Sequence, residues 1–323
     1  MWSTEERSVE IPPASKSEAT REVTAAVARD VTGSFPLALD GSTFGWTAGV
    51  DETAGILARF ADAGGRLVCT ADHYAGGRSE VMIGHWLGTL PDRSSAIVAT
   101  KIGRHPDSPG LSARSIVRAT DASLYRLATD YIDILSFDGE HPETPIDESL
   151  EAVDMLRRAG KVRHLSASGY TATRIAQVQA LAASAAYPVF RTAVAEYNLL
   201  KRGAFERELA PTLRSLGIGG ITRFPLANGL LASEERGRLI HTDGPAIDHV
   251  GRHSARVREA VRRVAEEHNV PLRCIALAWV MCQSEVAAVM VRARDVDQLE
   301  GQLEALPVRL TRHQLSTLNR VSA

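Results

Sequence analysis

Metal, thiol and dinucleotide chemistry each need a recognisable set of residues, and this 323-residue chain offers few of them. Its three cysteines, Cys69, Cys274 and Cys282, form no Cys-x-x-Cys pair and are an odd number in a chain too large to need disulfide stapling. They read as reduced thiols. A thiolate role for Cys69 would need a neighbouring cation to lower its pKa. Asp138, Glu140 and His141 lie close in sequence, but loop carboxylates around one histidine are ordinarily solvated, so no metal is expected. The stretch Asp40-Gly-Ser-Thr-Phe-Gly45 lacks the Gly-x-Gly-x-x-Gly spacing that cradles a pyrophosphate at a helix start. What remains is acid–base chemistry by side chains near the ends of short apolar runs.

Eight such runs are expected as strands: 36–39, 66–69, 95–101, 131–136, 162–166, 189–195, 218–222 and 286–291. Amphipathic segments separate them. Residues 51–63 place Ile56, Leu57 and Phe60 on one stripe and stop at Gly64-Gly65. Ser112 opens a helix carrying Ile116, Ala119, Leu124 and Leu127. Thr144 caps another before a first-turn Pro145, with Asp147 and Glu148 at its positive end and Gly160 closing it. Further helices are expected at 171–183, 203–215, 255–267, 272–282, 296–306 and 312–321. Strands alternating with helices and no shift in composition point to parallel βα units. A doubly wound sheet competes, but without a glycine fingerprint after the first strand a single (β/α)8 TIM barrel is the better reading. The barrel is expected over 35–323, with 1–34 as a short N-terminal arm.

Composition excludes other classes. Net charge is −2, and 25 glycines with 14 prolines match average usage. Arg256, Arg258, Arg262 and Arg263 alternate with Glu259, Glu266 and Glu267, which makes a solvated helix face and not a nucleic-acid patch. Apolar runs such as 275–281 fall far short of the roughly 20 residues of a membrane span. The start, with Glu5, Glu6 and Arg7 and no apolar core after them, does not read as a signal peptide, so a cytoplasmic protein is expected. Oligomeric state is not legible.

In a barrel the chemistry sits where strands end. There the chain reads Cys69-Thr-Ala-Asp-His-Tyr74, Gly76-Gly-Arg-Ser-Glu80, Ala99-Thr-Lys101, Thr129-Asp-Tyr-Ile-Asp133, Pro142-Glu-Thr-Pro145, Gly160-Lys-Val-Arg163, Glu196-Tyr-Asn-Leu-Leu200 and Pro225-Leu-Ala-Asn-Gly-Leu-Leu231. Order and spacing resemble the aldo-keto reductase superfamily over residues 36 to 320. The resemblance implies the same barrel, an Asp–Tyr–Lys–His tetrad and NADPH as hydride donor. Tyr74 and Lys101 match the tetrad's Tyr and Lys, whose ammonium lowers the pKa of the phenol beside it. Cys69 stands at the Asp position and Asp138 at the His position.

The cofactor positions that the resemblance implies are also altered. Asp40-Gly41 stands for the first-strand Gly-Thr. Of the pair that holds the carboxamide only Ser168 remains, followed by Gly169, and Val194 replaces a Gln. Arg223 replaces the Tyr that stacks on the nicotinamide. Arg292 replaces a phosphate-loop Gly, Arg294 matches a position near the adenosine phosphate, and Gln302 stands for a later Asn. Lost amide partners cost about 1 to 3 kcal/mol each where the ligand's polar group stays buried and unpaired.

The expected function is therefore a redox-neutral proton transfer, a dehydration, isomerisation or cyclisation, on a small carbonyl or polyketide-like substrate, with no cofactor. Tyr74 is the acid or base, Lys101 tunes it, Asp138 is the opposing base and Cys69 a pocket-wall or nucleophile candidate. His73, Arg223, Trp46 and His141 are substrate-contact candidates. Two alternatives stand: an NADPH-dependent reductase with an unusual site, and a non-catalytic partner-binding barrel whose arm 1–34 recruits the partner. The segment 232–253 is expected to cover the pocket mouth.

Overall fold

Eight parallel strands close on themselves in a computed structural model of the chain, which describes residues 30–232 and 251–323. They are β1 (Leu37–Asp40), β2 (Leu67–Ala71), β3 (Ile97–Ile102), β4 (Ile132–Asp138), β5 (Val162–Ser168), β6 (Phe190–Glu196), β7 (Gly219–Arg223) and β8 (Val286–Val291). Each pairs with its successor, and β1 pairs with β8 through Leu37–Val289, Ala38–Met290 and Leu39–Val291. This is the (β/α)8 barrel the alternation predicts. The strands are buried on both faces, inside by one another and outside by helices, so their sequences are apolar runs and not alternations.

The period of two decides what faces the lumen. Ala38, Leu67, Cys69, Ile97, Ala99, Ile134, Val194, Ile221, Ala288 and Met290 form one buried cluster inside the barrel, and Val31 joins it. The alternate residues, such as Leu39, Val68, Val98, Leu135 and Leu165, pack outward against the helices. Continuing the inward parity to the strand ends brings Asp40, Lys101, Asp138, Ser168, Arg223 and Arg292 to one rim.

The helices are α1 (Val50–Asp62), α2 (Arg78–Leu87), α3 (Ala113–Leu127), α4 (Ile146–Arg158), α5 (Ala172–Ala185), α6 (Ala210–Leu216), α7 (Arg252–His268), α8 (Leu272–Met281), α9 (Val296–Leu303) and α10 (Arg312–Val321). Three local expectations need correction. Helix α2 is absent from the sequence reading because it starts at Gly77, φ +88°, with no side-chain cap to announce it. Pro145, not Thr144, is the cap of α4. The helix expected over 203–215 is divided into a π turn, Phe205–Leu209, and α6. Pro211 has no N–H for the carbonyl four residues back, so the preceding turn widens. Of the arm expected over 1–34, residues 1–29 lie outside the described residues, and so do residues 233–250 of the segment 232–253.

Candidate active site

Tyr74 is held by what lies beneath it. It opens a tight turn, Tyr74–Gly77, in which Ala75 has φ 51° and Gly77 φ +88°. A Cβ on Gly77 would meet the Arg126 side chain at 2.7 Å, so only glycine fits there. Arg126 Nε in turn donates to Glu80 at 2.7 Å, and Thr100 Oγ1 donates to the other Glu80 oxygen at 2.6 Å. This buried network locks α2 to α3 and to β3, the strand that carries Lys101. Lys101 Nζ donates to Tyr74 Oη at 2.7 Å, and Lys101 is only 8% exposed.

The protonation states differ from the sequence expectation. Burial pushes the Tyr74 phenol above its ordinary value. Lys101 pulls it down, Asp40 and Asp138 push it further up, and burial prevails. The lysine thus does not bring this phenol toward neutrality. Burial also penalises the Lys101 charge, but Tyr74, Asp40 and Asp138 more than offset it, and the ammonium is held above the usual lysine range. Cys69 is fully enclosed, and burial pushes its thiol up to about 12 against the pull of Lys101. A thiol held up by burial is a poor source of thiolate at neutral pH. It is a small neutral wall residue.

Asp138 ends β4, the strand next to the one that carries Lys101, on the same rim. Ser168 Oγ donates to its Oδ1 at 3.0 Å, and the two residues sit in register across β4 and β5. Arg104 Nε lies 3.2 Å from Oδ2 and donates to the Asp138 carbonyl at 3.1 Å. His141 leans on the same corner, with Nδ1 3.2 Å from Glu143 and its buried Nε2 without a partner. His73 is half-buried, with Nδ1 3.2 Å from Asp72 and its ring edge-on to Tyr74. Trp46 stands out on the loop after β1. It is 70% exposed, while its neighbour Phe44 is core.

The strand-seven and strand-eight rim is cationic. Arg223 and Arg292 both approach the Phe224 ring, at 5.3 and 5.5 Å from its centroid. Phe224 itself has φ 55°, a left-handed conformation that a side chain makes costly. A groove of about 430 Å³ opens here, lined by Asp40, Phe224, Asn228, Arg292, Arg294 and Gln298 among others. Asp40, which the sequence marks only as an altered cofactor position, is a charged group facing the lumen. Its inward parity at the end of β1 is the signal that could have found it.

These positions test whether a nicotinamide fits. Ser168 spends its hydroxyl on Asp138, Gly169 offers no side chain, and Val194 belongs to the apolar lining of the lumen. No amide side chain stands at 169 or 194 for a carboxamide, and a guanidinium replaces the stacking ring at 223. The nicotinamide end of such a cofactor would find neither an amide side chain nor a stacking ring at these positions. The groove with Arg292 and Arg294 keeps a charge suited to anionic groups. Among the described residues no group of three or more His, Cys, Asp or Glu is placed to hold a metal ion, and no helix is long and apolar enough to cross a membrane.

The profile of the Aldo/keto reductase family matches residues 38–323. The chain is similar to a Pestalotiopsis microspora protein named aryl-alcohol dehydrogenase, at 27% identity over 88% of this chain and 78% of the relative. It is also similar to norsolorinic acid reductase B of Aspergillus parasiticus, at 28% over 88% and 79%. A third relative, from Arabidopsis thaliana and named "Probable voltage-gated potassium channel subunit beta", is 31% identical over 82% of this chain and 85% of its own.

Proposed function

The chain belongs to the aldo/keto reductase family, and on that premise we propose that it is an enzyme that has kept the family's proton-transfer pair and given up its hydride donor. It would act on a small carbonyl compound by redox-neutral enolisation, leading to isomerisation, dehydration or cyclisation. The observation that carries this reading is the contrast within one rim. Lys101 and Tyr74 are assembled at 2.7 Å, while the residues that would hold a carboxamide are Gly169, Val194 and a Ser168 committed to Asp138.

The chemistry follows from groups on neighbouring strands of one rim. The substrate oxygen accepts a hydrogen bond from Tyr74 Oη, whose raised pKa keeps its proton in place at neutral pH. The carboxylate of Asp138 takes the proton from the adjacent carbon. As that C–H bond breaks, charge moves to the oxygen, Tyr74 delivers its proton there, and the Lys101 ammonium stabilises the transient phenolate. Ser168 and Arg104 fix the direction of Asp138. Nothing is oxidised or reduced: the enol oxygen returns its proton to Tyr74, and Asp138 gives the abstracted proton back to a carbon or to the departing hydroxyl, which restores both groups.

A second reading, an NADP(H)-dependent oxidoreductase with an unusual site, draws on the groove beside Arg292 and Arg294 and on the names of the fungal relatives. Cofactor-free protein incubated in D2O with a panel of small ketones and aldehydes separates the two. Loss of α-proton signals by NMR, absent with Tyr74→Phe, is expected. No exchange on any compound, together with NADPH oxidation on one of them, would reverse the choice.

A further inference from the structure

We propose that Asp40 is the positioning carboxylate for Lys101, supplying from the end of β1 the negative charge that holds the ammonium beside Tyr74. The inference deepens the proton-transfer reading above, since it explains how a buried lysine stays charged in a pocket whose second strand offers only a neutral thiol.

Asp40 closes β1 in register with Cys69, and Cys69 is in register with Ala99, two residues before Lys101 on β3. All four share the inward parity, so Asp40 and Lys101 face one lumen across the small side chain of Cys69. Asp40 is 8% exposed and still lines the groove. Its Oδ1 accepts the Ser42 N–H at 3.0 Å, which turns the carboxylate at the strand end. Asp40 and Lys101 do not touch. Lys101 Nζ makes its contact with Tyr74, and Asp40 acts through the low-dielectric interior, where a charge reaches further than in water.

The other charges around Lys101 leave room for this role. Tyr74 faces it from the turn after β2 and Asp138 from β4. Asp138 already receives Ser168 and Arg104, and Cys69 from β2 carries no charge. Asp72, just past the end of β2, has its Oδ1 3.2 Å from His73 Nδ1. Among the described residues Asp40 accepts only a backbone N–H, whereas Asp138 is shared between a hydroxyl and a guanidinium.

The test reads Lys101 directly and needs no substrate. The chain has four lysines, at 16, 101, 161 and 201, so ε-carbon-labelled lysine gives few NMR resonances, and Lys101→Met identifies the one of interest. Asp40→Asn keeps an oxygen for the Ser42 N–H and removes the charge. Asp40→Ser keeps a shorter acceptor, should the amide fold poorly. The Lys101 resonance should titrate at lower pH in both variants than in the unmodified protein. Titration at the same pH in both would overturn the proposal. The proposed reaction plays no part in this measurement, so neither failure implies the other.

Discussion

Ser168 Oγ donates to Asp138 Oδ1 at 3.0 Å, in register across two adjacent strands. A hydroxyl at a position that the family would turn toward a cofactor amide here orients a carboxylate. If that carboxylate is the working base, Asp138→Asn keeps its shape and lowers the α-proton exchange rate by about 10² to 10⁴-fold. Ser168→Ala removes one hydrogen bond, worth about 1 kcal/mol, and lowers the rate by about tenfold or less. Equal losses in the two variants would place the chemistry on the hydroxyl.

Tyr74→Phe should cost as much in rate as Asp138→Asn and should also lower the thermal midpoint, because it leaves the buried Lys101 ammonium without its acceptor, a loss of about 1 to 3 kcal/mol. The pH profile carries the sign. A phenol held above its ordinary value by burial stays protonated through neutrality, so the rate of the proton-donating step holds until alkaline pH. A profile that falls between pH 7 and 9 in a Tyr74-dependent manner would mean that Lys101 has depressed the phenol instead.

The sequence carried the fold further than it carried the site. All eight strands stand where apolar runs mark them, because a parallel strand buried on both faces has no choice but to be apolar. What spacing cannot reveal is the balance of opposed terms. Tyr74 near Lys101 is visible in the chain, but whether burial or the ammonium wins depends on how deeply the turn packs over Glu80 and Arg126. Trp46 and Phe44 look equivalent as pocket walls until packing puts one on the surface and one in the core. Asp40 reads only as an altered cofactor position because the apolar run stops at Leu39, and one more strand residue turns it into the lumen.

Alkaline conditions should destabilise the fold through its buried thiols and phenols. Burial raises Cys69 from 9.0 to about 12 and Cys274 from 9.0 to about 11, and it also raises Tyr170 and Tyr197. The native state thus keeps protons that the unfolded chain releases. Stability is fully present below pH 9 and falls as pH rises through 11 to 12. Urea midpoints at pH 8, 9.5 and 10.5 should decline in that order. A flat series would contradict the burial of these groups. Thiol labelling of the native protein at pH 8 should mark exposed Cys282 and spare Cys69 and Cys274.

Restoring the family's tetrad should not restore hydride transfer. Cys69→Asp with Asp138→His returns both acid–base positions but leaves Gly169, Val194, Arg223 and Arg292 unchanged. Absorbance at the nicotinamide band should stay constant with this variant across aldehydes and ketones. Turnover of NADPH by the double variant would show that the altered positions do not obstruct the cofactor.

The most direct measurement is isothermal titration of the unmodified protein with NADPH and, separately, with NADP+. With no amide side chain at 169 or 194, a committed Ser168, and a cation at 223 facing a ring that is itself cationic when oxidised, neither ligand should give a saturable heat of micromolar affinity. A micromolar Kd for either one would contradict the loss of the hydride donor and return the protein to the reductases of its family.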